Sequence, residues 1–193
     1  MAAMNTRVGV FGGAFDPPHI GHVELARRGI AHFGLERLLV RVVEDPGHKD
    51  VRTAAEIRLH LSELAFGALE EVEAAVDSFA RTVDSLEALG LDDPVFLVGA
   101  DEFAAFGSWK DPGRMLELAQ LGVATRPGVD RGRLDAVLAC LERPERVSFF
   151  PIEPLPVSSS DIRARVAAGE PIEDLVPPSV AAEIARLGLY RAR

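Results

Sequence analysis

The chain has a single cysteine, Cys140, so it cannot form an internal disulfide. A lone thiol is typical of a reducing compartment, and we therefore expect a cytoplasmic protein. Basic side chains are fewer than acidic ones: 21 Lys and Arg stand against 30 Asp and Glu, which gives a formal net charge of -9. Contact with a nucleic-acid backbone needs a basic face, so the composition argues against nucleic acid as a partner. No apolar run approaches the roughly 20 residues of a membrane-spanning helix, so we expect no membrane partner.

Strands and helices alternate along the 193 residues, of which 48% are hydrophobic. We predict an α/β fold in a single domain over residues 1–193: a Rossmann-like, doubly wound parallel sheet with a small C-terminal helical region from about 158 to 193. In the second helix, Ile57, Leu61 and Leu64 are expected to face the core. Short apolar runs predict strands at 7–11, 37–43, 72–76, 95–98, 121–125 and 147–150. Amphipathic or capped segments predict helices at 21–33, 54–66, 81–89, 159–168 and 178–187.

Sheets of this kind bind ligands beyond the carboxyl ends of their strands, which directs attention to the loop after the first strand. This loop reads GGAFDPPHIGH over residues 12–22. Gly12 and Gly13 carry no side chain, so their backbone amides can approach a ligand closely. His19 and His22 are three residues apart near a helix start, so both imidazoles can face one point and stabilise charge on phosphate oxygens. The partial positive charge of the helix N-terminus adds to this effect.

Other interpretations of this loop are weaker. It is not a G-x-G-x-x-G loop, and it lacks the G-K-[ST] of a P-loop. A His-x-x-His metal site remains an alternative, although the chain shows no obvious matching ligands. A structural Gly-Pro loop with incidental histidines is a further one.

A second candidate phosphate site is the serine-rich stretch VSSSDIR at residues 157–163. It is typical of a helix N-cap, where hydroxyls, free amides and the guanidinium of Arg163 can hold a phosphate. On its pattern alone, an ordinary capped helix explains the stretch equally well.

The loop at residues 12–22 resembles the signature of the H-x-G-H nucleotidyltransferase superfamily, and in particular that of the bacterial nicotinate-mononucleotide adenylyltransferases. The stretch at 158–163 is similar to this family's Ser-Ser-Thr-x-Ile-Arg motif, with Ser160 in place of the threonine. Similar segments recur at Gly99-Ala100-Asp101 with Trp109, at Thr125-Arg126-Pro127-Gly128 and at 176–190, so the resemblance covers nearly the whole chain.

This resemblance implies that the chain transfers AMP from ATP to nicotinate mononucleotide, giving deamido-NAD and pyrophosphate in NAD biosynthesis. It implies catalytic roles for His19 and His22, and Mg²⁺ that arrives with ATP and has no dedicated protein site. The ATP-binding residues that it implies are Gly12, Gly13, Ala14, Phe15, Gly99, Asp101, Ser158, Ser159, Ile162 and Arg163. The acceptor-binding residues that it implies are Lys49, Thr82, Trp109 and Arg126.

Two loops on the acceptor side depart from the family. Residues 44–49 read EDPGHK where the family has a proline-rich Pro-Pro-His-Lys loop, and Arg81 takes the place of a tyrosine. These departures keep two alternatives open: the same chemistry on another acceptor, such as nicotinamide mononucleotide or pantetheine phosphate, and a non-catalytic nucleotide-binding protein of this fold. The sequence also leaves open whether the chain forms a homo-oligomer.

Overall fold

The sheet in this computed structural model has six parallel strands in the order β3-β2-β1-β4-β5-β6. The structure describes residues 6–47 and 51–192. The predicted α/β, doubly wound fold is confirmed, and each predicted strand is present within two residues at either end. The strands are β1 (Val8–Gly13), β2 (Arg37–Val43), β3 (Val72–Asp77), β4 (Val95–Gly99), β5 (Gln120–Thr125) and β6 (Val147–Pro151).

Helices connect the strands and continue beyond the last of them. All five predicted helices are present within one residue at either end. Within the described residues, three further helices were not predicted, at 100–103, 112–118 and 131–139. The helices are α1 (Ile20–Phe33), α2 (Ala55–Phe66), α3 (Thr82–Leu89), α4 (Ala100–Phe103), α5 (Pro112–Leu118), α6 (Arg131–Ala139), α7 (Ser159–Ala168) and α8 (Pro178–Leu187).

The two faces of the sheet bury two separate cores, because successive side chains of a strand point to opposite faces. Phe11 of β1 packs in the core that the sheet shares with α1, α2, α7 and α8. Val10 packs on the other face, in the core shared with α3, α4, α5 and α6. Among the described residues, no helix combines the length and the apolar composition needed to cross a bilayer.

The inward face of α2 carries the three predicted residues and one unexpected one. Leu61 is buried, and Ile57 and Leu64 are half-buried and pack against the same core. Arg58, which is 1% exposed, is the unexpected residue on the buried face. Its burial is possible because its guanidinium is bonded to backbone carbonyls rather than left in apolar surroundings, and such pairing is what permits a buried charge.

The strand order places a ligand crevice between β1 and β4. From β1 the chain winds outward through β2 and β3, and it then returns to β4 and winds the other way. The connections after β1 and β4 therefore leave the sheet on opposite faces and open a crevice at their carboxyl ends, which is the usual ligand position in this architecture.

Candidate functional site

The β1–α1 loop, residues 14–19, is fastened by bonds to its carbonyl oxygens. Arg58 donates through Nη1 to the carbonyl of Ala14 at 2.7 Å. Arg163 donates to the carbonyl of Asp16 at 2.7 Å, and the Ser159 hydroxyl donates to that of Pro17 at 2.8 Å. Carbonyl oxygens repel a phosphate, whereas amides attract it, so fixing these carbonyls to other protein groups favours an anion at this loop.

His19 and His22 lie together at the start of α1. Their rings are stacked, with centroids 3.6 Å apart and an interplanar angle of 23°. The backbone N–H of His19 donates to Nδ1 of His22 at 3.2 Å. A ring nitrogen that accepts a hydrogen bond carries no proton, so the neutral His22 ring has its proton on Nε2. His22 can therefore offer an Nε2–H donor to a phosphate oxygen.

The His19 ring is neutral at physiological pH. It is 8% exposed, and this burial lowers its pKa from 6.5 to about 4. Its Nδ1 is buried and has no hydrogen-bond partner within the part of the chain that the structure describes. Buried polar atoms normally have a partner, so this nitrogen retains capacity for a bound ligand or a water.

Glycine between the two histidines permits a close approach at this point. A Cβ atom on Gly21 would lie 3.1 Å from Nδ1 of His19 and 3.2 Å from Cγ1 of Val157. Contacts of this length are tighter than ordinary van der Waals contact. The small residue therefore allows the imidazole and the segment before α7 to meet at the start of α1.

Phe15 supports the histidines from the core side. Its ring is 2% exposed and lies edge-on to His22, with centroids 5.0 Å apart and an angle of 73°. A Cβ on Gly13 would come within 2.8 Å of this ring. Phe15 has φ 49°, in the left-handed region that is uncommon for residues other than glycine. Because its ring is buried, any nucleotide contact by Phe15 would be made through its backbone, and its predicted part in ATP binding stays a prediction.

The serine-rich stretch forms the predicted N-cap of α7. The Ser158 hydroxyl accepts from the Asp161 amide at 3.1 Å. Ile162 is completely buried, and its amide donates to the Ser158 carbonyl at 3.1 Å. Ile162 therefore packs the base of this site, while its predicted part in ATP binding stays a prediction.

Arg163 is directed into the protein rather than toward solvent. It is 8% exposed, and besides the Asp16 carbonyl it donates to the Ser160 hydroxyl at 3.3 Å. Its Nε is buried, with no partner among residues 6–47 and 51–192. In this structure Ser159 and Arg163 join α7 to the β1–α1 loop, and their contact with a triphosphate remains a prediction.

Predicted residues from the ends of β4 and β5 also meet. Gly99 is the N-cap of α4, and Asp101 lies in the first turn of that helix. Arg126, just after β5, donates through Nη2 to Asp101 Oδ2 at 3.2 Å. The side chains of Asp101 and Arg126 are 80% and 45% exposed, so this ion pair is open to a ligand from solvent.

Of the other three predicted acceptor residues, the structure describes two, Thr82 and Trp109. Thr82 is the first residue of α3 and is half-buried. Trp109 packs edge-on against Phe96, with centroids 6.2 Å apart, on the same face of the sheet as α3. Lys110 ties the two segments together through an ion pair with Asp84 at 2.6 Å. Lys49 lies outside the described residues, and the part of Trp109 in binding the acceptor stays a prediction.

Two residues of the site were missed by sequence reasoning. Arg58 donates to four backbone carbonyls at 2.7 to 2.9 Å, those of Thr53, Ala14, Val43 and Glu44. It thereby joins the β1–α1 loop to the segment after β2. The sequence signal that could have indicated Arg58 is its place between Ile57 and Leu61, on the face of α2 that was expected to be buried. The second is Tyr190, whose hydroxyl donates to the carboxylate of Asp16 at 2.6 Å. No local pattern in the sequence indicates that contact.

Over the two described ranges, no group of three or more His, Cys, Asp or Glu side chains converges to form a dedicated metal centre.

The chain matches one family model and is similar in sequence to several named bacterial proteins. The model of the cytidylyltransferase-like family matches residues 10–165. A Rubrobacter xylanophilus protein named a probable nicotinate-nucleotide adenylyltransferase is 37% identical over 201 residues, covering 96% of this chain and 92% of its own. A Chromobacterium violaceum protein of the same name is 36% identical over 212 residues, covering 97% of this chain and 100% of its own.

The fold is shared with solved structures of Plasmodium falciparum nicotinic acid mononucleotide adenylyltransferase. The structure complexed with NaAD has a TM-score of 0.76 at 16% identity, and the one complexed with APC has 0.75 at 15%. Each match covers 96% of this chain and 97% of the other. At these identities the likeness concerns the fold alone.

Proposed function

The chain belongs to the cytidylyltransferase-like family and, within it, to the nicotinate-nucleotide adenylyltransferases, and on this premise we propose that it transfers AMP from ATP to nicotinate mononucleotide. The products are deamido-NAD and pyrophosphate. The single observation that carries the proposal is the stacked His19–His22 pair at the start of α1, beside a loop whose carbonyls are tied back into the protein.

The reaction is a single in-line displacement. An oxygen of the acceptor's 5′-phosphate forms a bond to the α-phosphorus of ATP, and the bond from that phosphorus to the oxygen bridging to the β-phosphate breaks. The acceptor phosphate is already ionised, so no strong general base is required. Catalysis then depends on positioning and on stabilising the charge that develops on the phosphate oxygens.

We assign the two histidines different parts in this step. His22 donates its Nε2–H to a phosphate oxygen, since its Nδ1 is held by the backbone amide of His19. His19 contacts the triphosphate as a neutral imidazole, because its burial disfavours the charged form. A hydrogen-bond donor that is already fixed in place needs little reorganisation as charge moves to the leaving pyrophosphate.

The remaining predicted residues complete the two substrate sites. We propose that the backbone of residues 12–15 and the start of α7 hold ATP, together with Gly99 and Asp101. Thr82, Trp109, Arg126 and Lys49 take the acceptor. Support for this division is that Thr82 and Trp109 lie on the face of the sheet that carries α3, at the carboxyl end of the strands.

We propose Mg²⁺ as the accompanying ion. This ion is usually held by phosphate oxygens and water with few protein ligands, so we propose that it arrives with ATP. Bound there, Mg²⁺ would neutralise charge on the leaving pyrophosphate. We also propose that the chain acts as one catalytic domain in the cytoplasm, which is consistent with its single cysteine.

Arg81 bears on the identity of the acceptor. Arg81, where the family has a tyrosine, is the N-cap of α3 and so lies beside the predicted acceptor residue Thr82. A cation here suits the nicotinate carboxylate, but it would also suit a different anionic acceptor.

The decisive experiment is a panel of acceptors. The protein is incubated with ATP and Mg²⁺ and, in separate reactions, with nicotinate mononucleotide, nicotinamide mononucleotide or pantetheine phosphate. Pyrophosphate release is the readout, and the dinucleotide product is identified by mass. We expect the highest kcat/KM with nicotinate mononucleotide. A higher value with another acceptor would contradict the substrate assignment, and ATP binding without release from any acceptor would contradict the enzymatic one.

A further inference from the structure

Tyr190, the one tyrosine of the chain, connects the C-terminal tail to the β1–α1 loop. It lies just beyond the end of α8, and its hydroxyl donates to Asp16 Oδ1 at 2.6 Å. Burial, followed by the nearby charge of Asp16, raises the pKa of this hydroxyl. Tyr190 therefore remains a protonated donor at any physiological pH.

Asp16 is a junction between three segments. It is 2% exposed, and its second carboxylate oxygen accepts from the backbone amide of Arg52 at 2.7 Å. Arg52 belongs to the segment between β2 and α2, which also contains the predicted acceptor residue Lys49. One buried carboxylate thus links the phosphate-facing loop, an acceptor-side segment and the C-terminal tail.

The tail adopts an uncommon conformation to make this contact. Gly188 ends α8 with φ 63°, and Tyr190 follows with φ 61°. The left-handed region costs nothing for glycine but is unfavourable for a tyrosine. Tyr190 must therefore be held in this conformation by its contacts, which include the hydrogen bond to Asp16.

We propose that Tyr190 is a positioning residue for nucleotidyl transfer, acting through Asp16 to fix the loop that presents His19. The inference rests on the proposed function. Asp16 precedes His19 by three residues in this loop, and its own carbonyl is held by Arg163. Arg163 thus fixes the backbone of Asp16, while Tyr190 and Arg52 fix its side chain. Small displacements of a group that contacts reacting phosphates lower the rate strongly.

The chain offers a matched control for a merely structural role. Ser179, in α8, donates to the carbonyl of Leu64 in α2 at 3.1 Å. This bond also fastens the C-terminal region to the body of the protein, but it does not contact the β1–α1 loop. Tyr190→Phe and Ser179→Ala each remove one hydroxyl from the same region.

The first test compares these two variants in steady-state kinetics, well below the unfolding temperature of either. We expect Tyr190→Phe to lower kcat by about tenfold or more, with little change in the KM for ATP, because the nucleotide contacts remain while their alignment is lost. Ser179→Ala is expected to keep the wild-type kcat. Equal losses in both variants, or no loss in Tyr190→Phe, would overturn the inference.

A double-mutant cycle tests whether Tyr190 acts through Asp16. Asp16→Asn is combined with Tyr190→Phe, and kcat is measured for the four proteins. If Tyr190 acts through the carboxylate, its removal has little further effect once Asp16 is replaced. Multiplying effects on kcat would show that Tyr190 acts by another route and would reject the proposal.

Hydrogen–deuterium exchange separates this inference from the proposed function, since it needs no turnover. In the substrate-free protein, amides of residues 14–22 should exchange faster in Tyr190→Phe than in the wild type, and not in Ser179→Ala. A wild-type protein that releases no pyrophosphate would refute the function while this measurement still tests the link. Unchanged exchange at 14–22 would refute the link even in an active enzyme.

Discussion

The backbone amide of His19 donates to Nδ1 of His22, and the two imidazole rings are stacked with centroids 3.6 Å apart. This relationship fixes the His22 ring and selects its tautomer, so that Nε2 carries the proton. The stack also brings two imidazoles to the helix N-terminus without two positive charges, since His19 is held neutral by its burial. The arrangement is suited to receiving the charge of a triphosphate rather than to supplying a base.

Replacing His22 tests its role as a donor to the reacting phosphates. We expect His22→Ala to lower kcat by about 100-fold or more, which is the usual loss when one fixed donor to a transition-state oxyanion is removed. The measurement is pyrophosphate release at saturating ATP and nicotinate mononucleotide. His60→Ala is the control, because His60 lies on α2 and pairs with Glu183. A His22→Ala enzyme with near-normal turnover would exclude this role.

The burial of His19 predicts a pH dependence of stability. The pKa of His19 is about 4 in the folded chain and 6.5 without burial, so the unfolded chain takes up a proton first as the pH falls. The stabilisation is fully present above pH 6.5 and is lost progressively toward pH 4. Between pH 7 and pH 5 the free energy of unfolding should fall by about 2 kcal/mol from this group alone.

Urea titrations of the wild type and of His19→Gln across this pH range measure the effect. Only the difference between the two pH slopes is informative, because the substitution also changes packing. The wild type should lose more stability on acidification than the variant. Parallel slopes would mean that His19 does not titrate in the way its burial indicates.

Gly21→Ala should separate activity from stability. The new Cβ would press on Nδ1 of His19 at 3.1 Å and displace the ring by a few tenths of an ångström. Alanine is also favoured over glycine in a helix by about 1 kcal/mol, which offsets the cost of the contact. We therefore expect a melting temperature close to that of the wild type, with kcat/KM lowered by about tenfold or more.

Gly113→Ala is the matched control for that substitution. Gly113 is likewise the second residue of its helix, α5, and a Cβ there would lie 3.9 Å from its nearest described neighbour, Asp111 Oδ1. This variant should gain slightly in melting temperature and keep its activity. A Gly21→Ala protein with the same behaviour would show that the contact with His19 is accommodated without consequence.

The local sequence pattern was sufficient to predict the strands of the sheet. The strands are short apolar runs that end at glycine or at polar turns, so their bounds were predicted within two residues. Helix α4 has only four residues, too few for a periodicity, and α6 buries only Leu134. The signals for α5 and α6 were their caps, since Asp111 and Asp130 accept from the amides of Arg114 and Arg133.

The site was predictable only where it is contiguous in the sequence. His19, His22 and the preceding glycines form one motif, and their common position follows from a strand–loop–helix order. The bond from Tyr190 to Asp16 spans 174 residues, and that from Arg163 to the Asp16 carbonyl spans 147. Such contacts depend on how α7 and α8 pack against the sheet. The spacing of residues in the sequence does not predict that packing.

Arg58 provides the strictest test of how the loops around the site are held. Its guanidinium donates to four backbone carbonyls while 1% exposed, so Arg58→Met would remove the donor from four buried or partly buried acceptors. We expect the free energy of unfolding to fall by about 3 kcal/mol or more, because each unsatisfied group costs about 1–3 kcal/mol.

Arg58→Lys keeps the positive charge but should not keep wild-type activity. An ammonium lacks the planar fork that reaches carbonyls in several directions. Arg27→Met, on the exposed face of α1, is the control and should change stability by less than about 0.5 kcal/mol. Chemical denaturation and pyrophosphate release on the three variants make the comparison, and full activity in Arg58→Lys would mean that a positive charge alone organises these loops.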